Sequence, residues 1–423
     1  MGVKPGYKQT EVGVIPEDWD APFLGELFTF KNGLNKAKEF FGYGTPIVNY
    51  MDVYGRRGIY ASELEGRVSL SKQELKAFDV RKGDVFFTRT SETAAEVGIT
   101  SVMLDEPYDT VFSGFVLRAR PKDNSLDDHF KEYCFSTNFV RDQIVSQSTE
   151  TTRALTNGRY LSTVAIASPP LPEQRAIAEA LGDVDALLAV LEKLIAKKRD
   201  LKKAAMQQLL TGQTRLPGFS GEWEKKELGK LGEISGAGVD KKIRPNEPPV
   251  RLINYMDIYR RNFIYSKDLS HVVSAPLEQA AQCSVRRGDI FFTPSSEMPF
   301  DIAVSAVAME DIPDAAYSYH VVRFRLAEDW DLLFRAYAFK SHEFLNHAAR
   351  ACEGSGVRYV ITQGRFRQLS VRFPPSKQEQ ASIGEVLSDM DVEIGALEQR
   401  LAKTRALKQG MMQELLTGRV RLV

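Results

Sequence analysis

The sequence predicts an α+β protein made of two tandem copies of one module. Each copy ends in a long helix, and the two helices are expected to pair as an antiparallel coiled coil. Three observations carry this reading. Blocks of sequence recur at a nearly constant offset. The first part of each copy mixes short β-branched and aromatic runs with Gly and Pro turns. The second part carries apolar residues at helical, seam-like spacing.

The repeat comes first. Asn49-Tyr50-Met51-Asp52-Val53-Tyr54 returns as Asn254-Tyr255-Met256-Asp257-Ile258-Tyr259, an offset of 205 residues from Tyr50 to Tyr255. Val80-Arg81-Lys82-Gly83-Asp84-Val85-Phe86-Phe87-Thr88 returns at the same offset as Val285-Arg286-Arg287-Gly288-Asp289-Ile290-Phe291-Phe292-Thr293, and Pro169-Pro170 returns as Pro374-Pro375. Glu173-Gln174 returns as Glu379-Gln380, and Leu209-Leu210-Thr211-Gly212 as Leu415-Leu416-Thr417-Gly418, one residue further along. Thr10 to Trp19 loosely matches Thr214 to Trp223, so the two modules also share a lead-in. An offset kept over this length means duplication of a whole module. The expected divisions are 1–19, 20–168, 169–213, 214–223, 224–373 and 374–423.

Within each module, Asp84-Val85-Phe86-Phe87-Thr88 reads as a strand. Phe115-Val116-Leu117-Arg118-Ala119-Arg120 alternates apolar and charged residues, the pattern of a half-buried strand, and His320-Val321-Val322-Arg323-Phe324-Arg325 copies it. Short helices are expected near 130–145 and 331–348. Pro169, Pro170 and Pro172 then stop one element and start a helix, with Glu173 in its first turn, where the dipole favours a carboxylate. Thr211-Gly212 ends it.

Between these signals Leu181, Val184, Leu188, Leu191 and Ile195 form a coiled-coil seam, as do Leu387, Met390, Ile394, Leu397, Leu401, Met411 and Leu415. Lys198 and Lys202 interrupt the first seam, and Thr404 and Lys408 the second, so each should be weakest there. At about 1.5 Å per residue, helices of roughly 40 residues span roughly 60 Å. That exceeds one turn of B-DNA, about 34–36 Å. Two similar domains on such a strut would suit a duplex read at two places.

The bulk numbers are compatible with this and do not announce it. Of 423 residues 43% are hydrophobic and 26% charged, as in a globular protein with real cores. Lys plus Arg and Asp plus Glu both total 56, so net charge is zero, unlike many nucleic-acid binders. Basic residues clustered on one face would resolve that. Cys134, Cys283 and Cys352 are odd in number and far apart, which suits a reducing cytoplasm. No stretch suits a membrane span or a signal peptide.

Several motifs invite an enzymatic reading. Phe40-Phe41-Gly42-Tyr43-Gly44 fits the F-x-G-x-G pattern of S-adenosylmethionine sites, but the second module has Asn246-Glu247-Pro248-Pro249-Val250 there. It is read as a loop. No Asp/Asn-Pro-Pro-aromatic tetrad follows: Ser168-Pro169-Pro170-Leu171 and Phe373-Pro374-Pro375-Ser376 lack the stacking aromatic. His342-Glu343-Phe344-Leu345-Asn346-His347 is one residue too long for a zinc pair sharing a helix face, and reads as a surface helix. There is no phosphate-binding loop and no paired cysteine motif. Neither a catalytic residue, a metal site nor a cofactor is expected.

The chain resembles the specificity subunits of type I restriction-modification systems over nearly its whole length. The residues that carry the resemblance are Thr10-Glu11-Val12-Gly13-Val14-Ile15-Pro16-Glu17-Asp18-Trp19, Pro170-Leu171-Pro172-Glu173-Gln174-Arg175, and the helix ends Leu209-Leu210-Thr211-Gly212 and Leu415-Leu416-Thr417-Gly418-Arg419. The second module departs from the block, reading Pro375-Ser376-Lys377-Gln378-Glu379-Gln380. The resemblance implies two target-recognition domains, one per half of a split double-stranded DNA sequence. It also implies helices that dock two methyltransferase subunits, and restriction subunits in the full complex. Unequal inserts in equal frames suggest an asymmetric target.

DNA contacts are expected in loops bordering the shared strands. The candidates in the first module are Arg56, Arg57, Arg89, Thr90, Ser91, Arg153, Asn157 and Arg159; in the second they are Arg260, Arg261, Ser295, Ser296, Arg358, Gln363 and Arg365. After the shared Phe-Phe-Thr strand one module continues Arg89-Thr90-Ser91-Glu92 and the other Pro294-Ser295-Ser296-Glu297. The blander reading of such residues is solvated turns. Asp84 and Asp289 are expected to be structural. Two other functions compete: a single-chain methyltransferase or nuclease, and a scaffold that binds only proteins.

Overall fold

The structure, a computed structural model, describes residues 4–150 and 154–422. It divides into two compact units. Unit 1 takes the chain up to Leu191 together with Arg400 onward, and unit 2 takes Glu192–Gln399. The divisions fall inside two helices of 39 residues, Leu171–Leu209 and Lys377–Leu415.

Each unit is built on the same five-stranded sheet. In unit 1 the order is Phe28–Asn32, Val116–Pro121, Val85–Thr88, Thr100–Met103 and Gly58–Ile59; in unit 2 it is Gly232–Ser235, Val322–Leu326, Ile290–Phe292, Ser305–Ala308 and Phe263–Ile264. Pairing is antiparallel except at the last strand, which is parallel in both. Helices cover one face: Asp128–Cys134 and Asn138–Ser146 in unit 1, Leu332–Ala338 and His342–Ala351 in unit 2. Beneath them Phe87 meets Phe135 at 5.5 Å and Phe292 meets Phe339 at 5.2 Å, both edge to face.

The strand read as half-buried is central and covered on both faces. Its arginines pair with acids rather than facing open solvent. Arg120 holds Asp84 through paired contacts of 2.8 and 2.7 Å, and Arg325 holds Asp289 through two of 2.7 Å. The alternation reported two different faces, one apolar and one ionic. Asp84 and Asp289, fully buried, are structural as expected; each also accepts a backbone N–H, from Arg81 at 2.8 Å and Arg286 at 2.9 Å.

The F-x-G-x-G segment is not a loop. It lies in the strand Phe41–Val48, whose register with Arg67–Val68 shifts between Phe41 and Thr45. Gly42 and Gly44 have φ of 103° and 96°, and a β-carbon on Gly44 would lie 2.8 Å from the Val68 carbonyl. The glycines make a bulge. The histidine segment is a helix as expected, and among the described residues no group of His, Cys, Asp or Glu could hold a metal ion. No helix among them is long and apolar enough to cross a membrane.

The two long helices run antiparallel within each unit. In unit 1 Lys408 of the second helix pairs with Asp185 of the first; in unit 2 Lys198 reaches Glu393 at 2.6 Å and Lys202 pairs with Asp391. The seam residues Leu181, Leu191, Ile195, Leu387, Ile394 and Leu415 are buried. The expected weak points are clamps instead. Lys408 lies 5.5 Å over the Tyr133 ring, whose hydroxyl donates to Asp185 at 2.9 Å. Lys202 lies 5.5 Å over Tyr337, whose hydroxyl donates to Asp391 at 2.7 Å. The lysines leave the seam to fasten the helices to the sheet-and-helix parts of each unit.

The repeated Glu-Gln block has a physical account. Glu173 is fully buried and accepts from the Trp19 indole at 2.8 Å and from Arg421 at 2.6 and 2.7 Å. In unit 2 Glu379 accepts from Trp223 at 3.4 Å and from Arg215 Nη2 at 2.6 Å. Gln174 and Gln380 each accept a backbone N–H from the N-cap residue of a covering helix, Asp127 at 2.8 Å and Asp331 at 2.9 Å. The helix-ending glycines, Gly212 and Gly418, have φ of 71° and 69°. A β-carbon on them would meet Trp223 at 3.1 Å and Trp19 at 3.3 Å, so glycine is required twice over.

Candidate nucleic-acid interface

In each unit a small antiparallel sheet gathers the segments singled out in the sequence. In unit 1 Thr90–Ser91 pairs with Ala154–Leu155, which pairs with Thr149–Glu150. In unit 2 Ser295–Ser296 pairs with Arg358–Val360, which pairs with Glu353–Ser355. The same backbone bonds hold both. Thr156 N–H donates to the Arg89 carbonyl at 3.0 Å, and Ile361 N–H to the Pro294 carbonyl at 2.8 Å. Loops separated by about 60 residues in sequence thus form one surface per unit.

The candidates fall into two groups. On or beside these sheets lie Arg89, Thr90 and Ser91 in unit 1, and Ser295, Ser296 and Arg358 in unit 2. Arg358 donates to Ser295 at 3.0 Å. Asn157 caps the short helix Gly158–Leu161 and bonds the Tyr160 N–H at 3.0 Å; Arg159 is exposed on that helix. Gln363 is exposed at the start of the matching helix Gln363–Gln368. Arg365 is tied to the Ala351 carbonyl at 3.0 Å and to Glu353. Arg153 lies outside the described residues.

The arginine pairs after the Met-Asp-Val/Ile-Tyr block stand apart, and their expected correspondence shifts by one residue. Val102 N–H bonds the Arg57 carbonyl, and Val307 N–H bonds the Asn262 carbonyl, at 2.9 and 3.0 Å. Arg57 therefore matches Asn262, and Arg56 matches Arg261. Arg56 pairs with Glu63 at 2.8 Å, and Arg261 bonds the Asp268 carbonyl at 3.2 Å. Arg57 turns inward, donating to the Glu132 carbonyl at 3.2 Å and Ser136 at 3.3 Å, 5.1 Å over Tyr133. Arg260 is exposed at the end of Tyr255–Tyr259.

The profile of the type I restriction modification DNA specificity domain matches residues 16–198 and again 220–404. The chain belongs to the type I restriction-modification DNA specificity family. Among curated relatives of this specificity-family chain, the type I restriction enzyme MjaVIII specificity subunit of Methanocaldococcus jannaschii is 23% identical, over 96% of this chain and 94% of its own. The fold is that of a type I restriction-modification S subunit from M. genitalium, with TM-score 0.55 and 13% identity over 98% of both chains. A structure described under complex assembly and conformational transition of the type I R-M system scores 0.56 at 13% identity, over 96% of this chain and 99% of that one.

The sequence reading of this specificity-family chain missed an aromatic feature beside each small sheet. Tyr50 and Tyr54 stack at 5.7 Å and 17°, and Tyr255 and Tyr259 at 5.9 Å and 18°. The outer hydroxyl donates to Glu96 at 2.6 Å in unit 1 and to Asp301 at 2.7 Å in unit 2, and these bonds raise both tyrosines above their ordinary pKa. Tyr50, Met51, Tyr54, Thr90, Ser91 and Phe115 line a surface cavity of about 330 Å³. In unit 2 burial, then Lys241 and Arg358, hold the His320 imidazole below its ordinary pKa. The signal was present: aromatics four apart on a short helix share a face.

Proposed function

We propose that this chain is the sequence-reading, non-catalytic subunit of a cytoplasmic type I restriction-modification complex. Each unit's small sheet reads one half of a split, asymmetric site on double-stranded DNA. The paired helices dock two methyltransferase subunits, and restriction subunits join for cleavage. Phosphate contacts from lysine and arginine supply affinity, and the sheet tips supply choice.

One observation carries the reading. The two units build the same frame down to individual backbone bonds, yet set different residues at its tip, Arg89-Thr90-Ser91-Glu92 against Pro294-Ser295-Ser296-Glu297. A duplicated scaffold with unlike tips is what reading two unlike half-sites requires. The names of its relatives as specificity subunits support the same conclusion. The test is genome-wide mapping of DNA methylation in cells with and without the chain. A split asymmetric motif should vanish on deletion; a methylation pattern that survives unchanged contradicts the proposal.

A further inference from the structure

We infer that Arg89 reads a guanine in the half-site taken by unit 1, and that unit 2 has no such reader at the matching place. The inference rests on the proposed reading of the chain as a DNA specificity subunit and names one base contact within it.

Residues shared by both readers cannot separate two half-sites; residues that differ in a common frame can. Thr88, the last residue of its strand, and Thr293, just past the end of its strand, are held alike, each carbonyl accepting a backbone N–H at 2.9 Å, from Gly98 and Ala303. The next residue is Arg89 in one unit and Pro294 in the other, and both carbonyls bond the facing strand. Arg358, by contrast, has an arginine at the repeat offset in the first module, Arg153, and so fits a contact common to both halves.

Arg89 is also uncommitted. Among the described residues its guanidinium makes no ion pair and no hydrogen bond, and its Nε is buried without a partner. Arg118 and Arg323 also have an unpartnered Nε, but their terminal nitrogens are bound, to the Asp79 carboxylate at 3.2 Å and to the Gln282 and Ser284 carbonyls at 3.0 and 3.1 Å. Arg56, Arg57, Arg261 and Arg365 are likewise occupied. A guanidinium with its inner nitrogen desolvated and its outer fork open presents two parallel donors. Guanine O6 and N7 in the major groove are the acceptor pair that fits such a fork.

The experiment uses the chain assembled with its methyltransferase. The methylated motif is determined for wild type, Arg89→Lys and Arg89→Ala. Both variants should lose a guanine requirement at one position of one half, while the other half stays intact and reports that the complex has folded. Duplexes carrying 7-deazaguanine at that position lack the N7 acceptor. Wild type should bind them about 10- to 100-fold more weakly, and Arg89→Ala should show no further loss. An unchanged motif in Arg89→Ala overturns the inference. So does a uniform loss of affinity on all sequences with the salt slope reduced by about 0.9, the mark of a phosphate contact. If wild type writes no two-part motif, the underlying reading fails, and this inference with it.

Discussion

Unit 1 and unit 2 both place cations against a tyrosine–aspartate pair, but carry one of them at different positions in the chain. In unit 1 Arg57 leans over Tyr133 and donates to Ser136. In unit 2 the residue matching Arg57 is Asn262, and the cation is Lys340, which bonds the Asn262 side-chain oxygen. Asn262 in turn donates to Asp391 at 2.8 Å. The charge has been kept while the residue carrying it moved. Arg89 and Pro294 make the opposite case, because the residue that matches Arg89 in unit 2 is a proline, whose side chain carries no donor. A compensated difference maintains the scaffold, and an uncompensated one is free to serve recognition.

That contrast can be broken from the scaffold side first. Glu173→Ala strands the Trp19 indole and Arg421, and should destabilise unit 1 by about 3–5 kcal/mol. Glu379→Ala should do the same to unit 2, since Arg215 and Trp223 play the same parts. Calorimetric melts of the two variants should show the loss in different transitions. Equal loss in both transitions would show that the units do not carry separate cores.

The compensated pair comes next. Arg57→Asn alone should cost about 1–2 kcal/mol, through the lost hydrogen bonds and the lost contact over Tyr133. Adding Ser136→Lys recreates the unit 2 arrangement and should recover much of that. A double-mutant cycle in denaturant measures the coupling. Strict additivity would refute the exchange.

A smaller effect concerns pH. Burial, and then the Lys202 charge, bring Lys340 down to about 8 from an ordinary 10.5. Between those values the unfolded chain binds the more protons, so unit 2 should gain stability as pH rises from 8 to 10.5. Below 8 both states are protonated and this slope disappears. Lys340→Met should remove the slope in pH-dependent unfolding. The smallest effect is Arg89→Ala, which breaks no side-chain hydrogen bond or ion pair among the described residues and should change stability by under about 0.5 kcal/mol. A large destabilisation would move Arg89 into the scaffold class.

Much of the architecture was legible because duplication tests each local signal twice. The strand Val85–Thr88, the seam residues and the helix-ending glycines follow from period and turn chemistry, and each had a copy to confirm it. The central strand misled because Arg118 and Arg120 read as solvent-facing until Asp79 and Asp84, distant in sequence, were placed against them. Lys202 and Lys408 misled in the same way: their partners lie on the other helix and on the tyrosines Tyr337 and Tyr133. For the candidate interface, the sequence singled out the segments that the two small sheets gather, but could not show that Thr90–Ser91 and Ala154–Leu155 are neighbouring strands. It also could not separate Arg57, turned inward, from Arg89. Both are arginines in turns, and only tertiary partners distinguish them.

The central claim is that the two units read independently. It is tested most directly by replacing residues 20–168 with the matching domain of another specificity subunit, then sequencing the methylated motif written by the reassembled complex. The account predicts that one half of the motif changes to the donor's and the other half stays. A motif that changes in both halves, or in neither, would contradict it.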